Sequence, residues 1–455
     1  MNPRKPALLA GALAMITAAT GNTFSTSAAP ALVIEQDALM KNAVVQVIVR
    51  SGSLSDPDDM PGLANLVARA MLRGTQTKNY PRLTEAVESI GGSLEVRTDR
   101  EITVFTGSVI AVNFNAFMML VSEIMSAPAF DDDEVATLKG IVKGELLTRM
   151  QQPKILAAMA ALGTAFAGHK AANATQGTVA GVDAAGIWAL RAFHRERYVR
   201  SNMLVACVSP YAVPEAEKAL RAAMSVLPPG TLDARSVPAP VMTGRRAVIV
   251  EKQDMSTTPL FIALPGVAPG DKDMMALEVG NFVFGADFTS RLIRVLRVEN
   301  GWTYGAYSGF EQLYRSQSSQ TLFSLYTYPS AVHAARALPK AFELLEAWIS
   351  KGLSEDEFAA ARDALSGRYA FNIDTPSKRL DLRVAEVLGG APFMTARQYD
   401  VKLSGLARND VNAVIEKRLK LENVVIAAAG DGAVLKPVLE KIPGVLSVDT
   451  VVVSP

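Results

Sequence analysis

The sequence predicts an α+β protein of two tandem homologous domains, each a mostly antiparallel sheet with helices packed on one face. Three observations lead there. The chain has 455 residues, of which 49% are hydrophobic and 20% charged, which is too much apolar chain for one ordinary core and suits a packed globular protein. Runs of strand and helix follow one another in the same order twice. Landmarks also repeat at a nearly constant offset, the mark of a tandem duplication.

The landmarks are specific. Phe130-Asp131-Asp132-Asp133-Glu134-Val135 matches Leu353-Ser354-Glu355-Asp356-Glu357-Phe358, and each precedes a long helical pattern. Continued without a gap, Gly144 falls on Gly367 and Pro153 on Pro376. Arg197 to Met203 matches Arg418 to Val424, each followed by a short apolar strand. Pro228-Pro229-Gly230 and Pro238-Ala239-Pro240 punctuate a turn-rich linker, which sets the domains at 30–227 and 244–455 with 228–243 between them.

Within each half an alternating apolar strand comes first, at 43–49, and at 247–250 followed by 260–263. A helix follows, then a second one starting near Tyr80 or Thr289 and stopped by Gly91-Gly92 or Gly301. Strands are expected at 93–96 and 102–109, and at 304–310 and 321–328. Long helices and a last strand, 204–208 or 425–429, complete each half.

Other functions are bounded by composition. Formal net charge is +1 with no long basic run, which argues against nucleic-acid binding. Arg4 and Lys5, the apolar run 7–19 and Ser27-Ala28-Ala29 read as an export signal over 1–29, and an uncleaved anchor is the alternative. The run is short for a bilayer span, so the expected location is periplasmic or secreted. Cys207 is the sole cysteine; no intrachain disulfide can form, and its apolar neighbours place it in a core. Trp188 and Trp348 are likewise read as core residues.

The most informative segment is Pro61-Gly62-Leu63-Ala64-Asn65-Leu66-Val67-Ala68-Arg69-Ala70-Met71-Leu72-Arg73-Gly74-Thr75. With Ile90-Gly91-Gly92-Ser93, Asp99-Arg100-Glu101 and the stretch from Phe130 to Glu145, it resembles the pitrilysin, insulinase and mitochondrial processing peptidase family of zinc metallopeptidases. The resemblance covers nearly the whole chain after the signal. In that family this helix carries H-x-x-E-H, in which histidines bind zinc and the glutamate acts on the bound water. The three positions here hold Asn65, Ala68 and Arg69, and only the downstream glutamate ligand is retained, as Glu145. One carboxylate does not hold a catalytic zinc, and Ala68 accepts no proton. The resemblance therefore implies no metal in this chain. Arg69 and Glu145 either form a salt bridge in the vacated ligand space or are solvated separately. His169, His194 and His333 are the only histidines, and His169 reads as structural.

The second half keeps a different signal. Arg297 and Tyr304 match the family's arginine and tyrosine, which the resemblance implies bind the substrate backbone and stabilise charge on the scissile carbonyl. Their residue types suit that task, a charged planar fork and a directional phenol donor. Arg291 is expected on a helix terminus or carboxylate, and Tyr307 is a weaker second donor. The combined reading is a non-metal subunit of a heterodimeric zinc peptidase that degrades peptides. A homologous partner with an intact H-x-x-E-H motif would supply zinc, its ligands and the base. The alternative is a catalytically idle scaffold or binding subunit of the same fold; an independent peptidase with unconventional ligands is disfavoured, because neither asparagine nor arginine suits zinc.

Overall fold

The computed structural model describes residues 29–231, 240, 242–311 and 321–451. All but the last residue of the export signal expected over 1–29, and part of the linker, therefore lie outside the described residues. Eleven strands form two sheets among them: β1 (Ala31–Gln36), β2 (Asn42–Val49), β3 (Gly92–Thr98), β4 (Thr103–Ile110) and β5 (Met203–Ser209) in the first, and β6 (Arg245–Glu251), β7 (Leu260–Pro265), β8 (Thr303–Glu311), β9 (Leu322–Pro329), β10 (Val424–Gly430) and β11 (Val445–Val451) in the second. The orders are β1-β5-β2-β4-β3 and β11-β6-β10-β7-β9-β8.

The duplication is visible in the pairing. β1 lies parallel to β5, and β6 lies parallel to β10; in both sheets that strand then pairs antiparallel with the next, β2 or β7. The sequence expectation began the first half at β2 and so omitted β1, the true counterpart of β6. β1 was missed because Ala31-Leu32-Val33-Ile34 is a short apolar run that shows no alternation. β11 has no counterpart in the first half and was also missed.

Helices cover the outer face of each sheet, as expected. The inner face is covered too, and by an exchange. Helix Pro153–Ala165 belongs by sequence to the first half, yet its Leu156, Ala157, Ala160 and Ala161 pack on Val248, Val250, Phe261 and Ala427 of the second sheet. Helix Pro376–Gly389 does the reverse, setting Leu380, Val384 and Leu388 on Val33, Ile48, Leu204 and Ala206 of the first. These are the two helices opened by the duplicated prolines. Each proline stands in a first turn, where its missing N–H costs no hydrogen bond. The exchange explains why β5 and β10 are buried along their full length and read as unbroken apolar runs.

Charge reinforces one of the crossings. Arg379 donates to Glu35 at 2.7 Å and to Asp37 at 3.0 Å, and Gln46 donates to Asp381 at 2.7 Å. Cys207 is buried in the first core. Trp348 is fully buried and stacks on Phe284 at 4.4 Å, but Trp188 is 80% exposed and is not a core residue. Its helix, Ile187–Arg197, instead buries Ala189, Leu190 and Phe193. Among the described residues no helix is long and apolar enough to cross a membrane.

Candidate functional site

Helix Leu63–Met71, where the zinc motif would stand, is fixed at its start by backbone geometry. Gly62 adopts φ 101° and approaches the Gln176 carbonyl so closely that a Cβ would lie 2.4 Å from it. This explains the Pro61-Gly62 pair: only glycine fits that conformation and that contact. Asp56 accepts the backbone N–H groups of Gly62 and Ala64, both at 2.7 Å, and so caps the helix. Burial pushes the Asp56 carboxyl up to about 7, with those N–H groups and Lys170 pulling the other way.

Asn65 and Ala68 face inward and are buried, and Arg69 reaches across to the long helix Asp132–Arg149. There it forms a two-armed pair with Glu145, Nη1 to Oε2 at 2.6 Å and Nη2 to Oε1 at 2.9 Å. These are the two positions at which the sequence resemblance expects a histidine and a glutamate ligand, and both carboxylate oxygens of Glu145 are taken up by Arg69. Arg69 holds the Glu145 carboxyl below the usual glutamate range, chiefly by these hydrogen bonds. A second rung, Arg73 Nε to Glu134 at 2.8 Å, joins the same two segments.

This donor set does not fit zinc. A guanidinium occupies the ligand space, Ala68 has no base, and the Asn65 Nδ2 is buried without a hydrogen-bond partner. Among the described residues no three His, Cys, Asp or Glu side chains stand together. His169 accepts the Ala171 N–H through Nδ1, and His194 stacks on Tyr198 and bonds the Met125 carbonyl; both serve local structure.

The second half contains a similar clamp, with the charges of one rung reversed and those of the other kept. By the gapless offset Glu145 corresponds to Arg368, which donates to Asp287 at 2.6 Å, and Glu134 corresponds to Glu357, which accepts both arms of Arg291 at 2.8 and 2.6 Å. The sequence separations are similar, 76 residues for Arg69–Glu145 and 81 for Arg368–Asp287. Arg291 also donates to the Gly352 carbonyl at 2.8 Å, the role expected of it. Arg69→Ala should destabilise the chain by about 1 kcal/mol, the order of a well-formed but half-exposed pair. Because the folded Glu145 carboxyl titrates below its unfolded value, the stabilisation is complete above about pH 4.3 and is lost as pH falls through the folded value. Denaturant titrations of wild type and variant should therefore converge at low pH; a difference that is absent at pH 7 as well would contradict the clamp.

Arg297 and Tyr304 stand apart from this clamp, on the second half. The expected helix from Thr289 narrows to a short turn at Arg291 and then becomes π-helical over Ile293–Glu299, with Arg297 exposed in its last turn. Single π-turns in helices cluster at functional sites. The helix ends where Gly301, at φ 64°, donates its N–H to the Arg297 carbonyl at 3.0 Å. Tyr304 follows at the start of β8 and is 80% exposed. Three residues on is Tyr307, which belongs to a group of three tyrosines. Tyr307 hydrogen-bonds Tyr328, and Tyr328 stacks on Tyr326 with ring centres 5.5 Å apart. Burial raises the Tyr328 phenol, aided by Tyr307, while the nearby Arg297 charge opposes the rise. Lys154 of the exchanged helix lies over the Tyr326 ring at 4.7 Å. The alternation Tyr326-Thr327-Tyr328 signals one tyrosine face on β9, but no local pattern reveals Lys154, which arrives from the other half.

Comparison with known proteins agrees with this architecture. Residues 31–179 match the family model described as insulinase (peptidase family M16), and residues 189–365 match the model described as peptidase M16 inactive domain. The chain belongs to the M16 peptidase family. It is 22% identical over 387 residues to an uncharacterized zinc protease of Streptomyces coelicolor, covering 82% of each chain. It is 22% identical over 400 residues to a non-peptidase homolog of Helicobacter pylori, covering 87% of this chain and 90% of that one. The structure of a peptidase M16 inactive domain from Pseudomonas fluorescens superposes with a TM-score of 0.83 at 21% identity, over 92% of this chain and 98% of that chain. A chain of complex III2 from Candida albicans gives 0.72 at 16% identity, over 90% and 97%.

Proposed function

We propose that this chain is the non-metal subunit of a two-chain zinc peptidase acting on peptides, exported to the periplasm or beyond the cell. A homologous partner with an intact H-x-x-E-H motif supplies zinc, its ligands and the general base. This chain supplies Arg297 and Tyr304. The observation that carries the reading is a contrast: the motif helix is closed by the Arg69–Glu145 pair, while Arg297 and Tyr304 are both exposed, Tyr304 to 80%. A phenol O–H set in advance donates a hydrogen bond to the carbonyl oxygen as charge builds there, and the guanidinium orients the peptide backbone. Such groups need only be in place at the reacting bond, not on the chain that performs the proton transfers.

A non-peptidase homolog among the relatives keeps the scaffold reading in view. The two are separated by substituting Arg297 and Tyr304 together in the purified two-chain complex. Intact assembly with turnover reduced to a small fraction supports the proposal; intact assembly with unchanged turnover supports the scaffold.

A further inference from the structure

The exposure of Tyr304 depends on an irregularity in β8. Thr303 pairs opposite Pro329 and Ala306 opposite Thr327, so three steps along β8 face two along β9. One residue is extra, which is a β-bulge. In an unbroken strand residues 303 and 306 would lie on opposite faces, and Tyr304 would share the face of Ala306. Here Thr303 and Ala306 are both buried, at 6% and 0% exposure, and Ala306 belongs to the helix-covered core of the second half. Without the bulge the Tyr304 ring would be directed into that core.

A pair of buried hydroxyls holds the bulge. Thr303 Oγ1 donates to the Gly305 carbonyl at 2.9 Å and accepts the Gly305 N–H at 3.3 Å. Thr327 Oγ1 on β9 donates to the same carbonyl at 3.0 Å and lies 3.3 Å from Thr303 Oγ1. The polar groups that the bulge removes from the ladder are thereby satisfied inside the core, where leaving them unpaired is costly. Gly305 completes the device: a Cβ there would lie 2.6 Å from the Tyr307 ring and 2.7 Å from the Tyr328 hydroxyl.

We infer that Thr303, Thr327 and Gly305 are positioning residues whose bulge presents Tyr304 to a peptide held on the partner subunit. The inference rests on the function proposed above, and its test separates the two. Thr303→Val/Thr327→Val keeps the β-branched shape and removes both hydroxyls. In the two-chain complex this variant should lower kcat by about 10²-fold with KM little changed, the scale of a misplaced catalytic group. Thr327→Ser, which restores a hydroxyl, should recover most of the rate. In the isolated chain, nitration of Tyr304 by tetranitromethane, read by peptide mass spectrometry, should be fast in wild type and several-fold slower in the double valine variant. Gly305→Ala provides a second variant with the same expected direction in kcat, should the double variant fold poorly. Unchanged nitration and unchanged kcat in these variants, with Tyr304→Phe slow, would overturn the positioning inference. Full turnover in Tyr304→Phe would overturn the functional reading instead, and the nitration rates alone would then decide whether the hydroxyl pair sets the exposure of Tyr304.

Discussion

Replacing Tyr304 with phenylalanine is expected to slow peptide turnover by the assembled complex roughly 10²–10³-fold, the usual cost of losing one preorganised donor to a developing oxyanion. The substitution removes one hydroxyl from a side chain that is 80% exposed and packs into no core, so folding and assembly should be unaffected. The loss should fall on kcat and kcat/KM alike, because the hydrogen bond strengthens only as charge develops. Steady-state kinetics with size-exclusion analysis of the same sample checks both halves of the expectation. A variant with a raised KM and normal kcat would move Tyr304 from stabilising the reacting carbonyl to holding the peptide uniformly.

The second large effect concerns the exchanged helices. Leu380 is fully buried where helix Pro376–Gly389 crosses onto the first sheet, so Leu380→Ala should cost about 2–5 kcal/mol through lost burial and the cavity left behind. Its neighbour Arg379 holds the carboxylate of Glu35, which is itself buried; Arg379→Ala leaves that charge without its main partner and should cost about 3 kcal/mol. Arg383, 3.6 Å from Glu35, offsets only part of the loss. Each helix is a wall of the opposite half's sheet, so the halves should melt in one transition in wild type. Calorimetry showing two well-separated transitions in the wild-type chain would contradict this account of how the halves are joined.

The sequence revealed the repeat and concealed the exchange, for a physical reason. Offsets such as Glu134 to Glu357 and Pro153 to Pro376 are local facts of order along the chain, and they locate the helices. Which sheet a helix covers is a tertiary fact, and an amphipathic face does not name its partner. One sign was present: Leu204-Val205-Ala206-Cys207-Val208 and Val425 to Ala429 lack the polar alternation of a strand with one wet face. That Asn65, Ala68 and Arg69 stand on one helix was legible from the sequence. The Arg69–Glu145 ion pair was one of two readings open there, and the choice between them needed the fold, since the two residues are 76 apart and only the fold sets their separation. Trp188 was misread because a large aromatic side chain is core by habit, yet it sits on the outward side of its helix. The bulge at Thr303 was hidden as well, because a single extra residue leaves the apolar pattern of β8 nearly intact.

The central claim is that this chain has no zinc chemistry of its own and contributes to catalysis only beside a partner. It is tested most directly by metal analysis and peptide hydrolysis on the purified chain alone, and again after mixing with a homologous subunit bearing H-x-x-E-H. The account predicts no stoichiometric zinc and no cleavage by the chain alone, and cleavage on mixing that exceeds the activity of the partner by itself. Zinc-dependent cleavage by the isolated chain would contradict it.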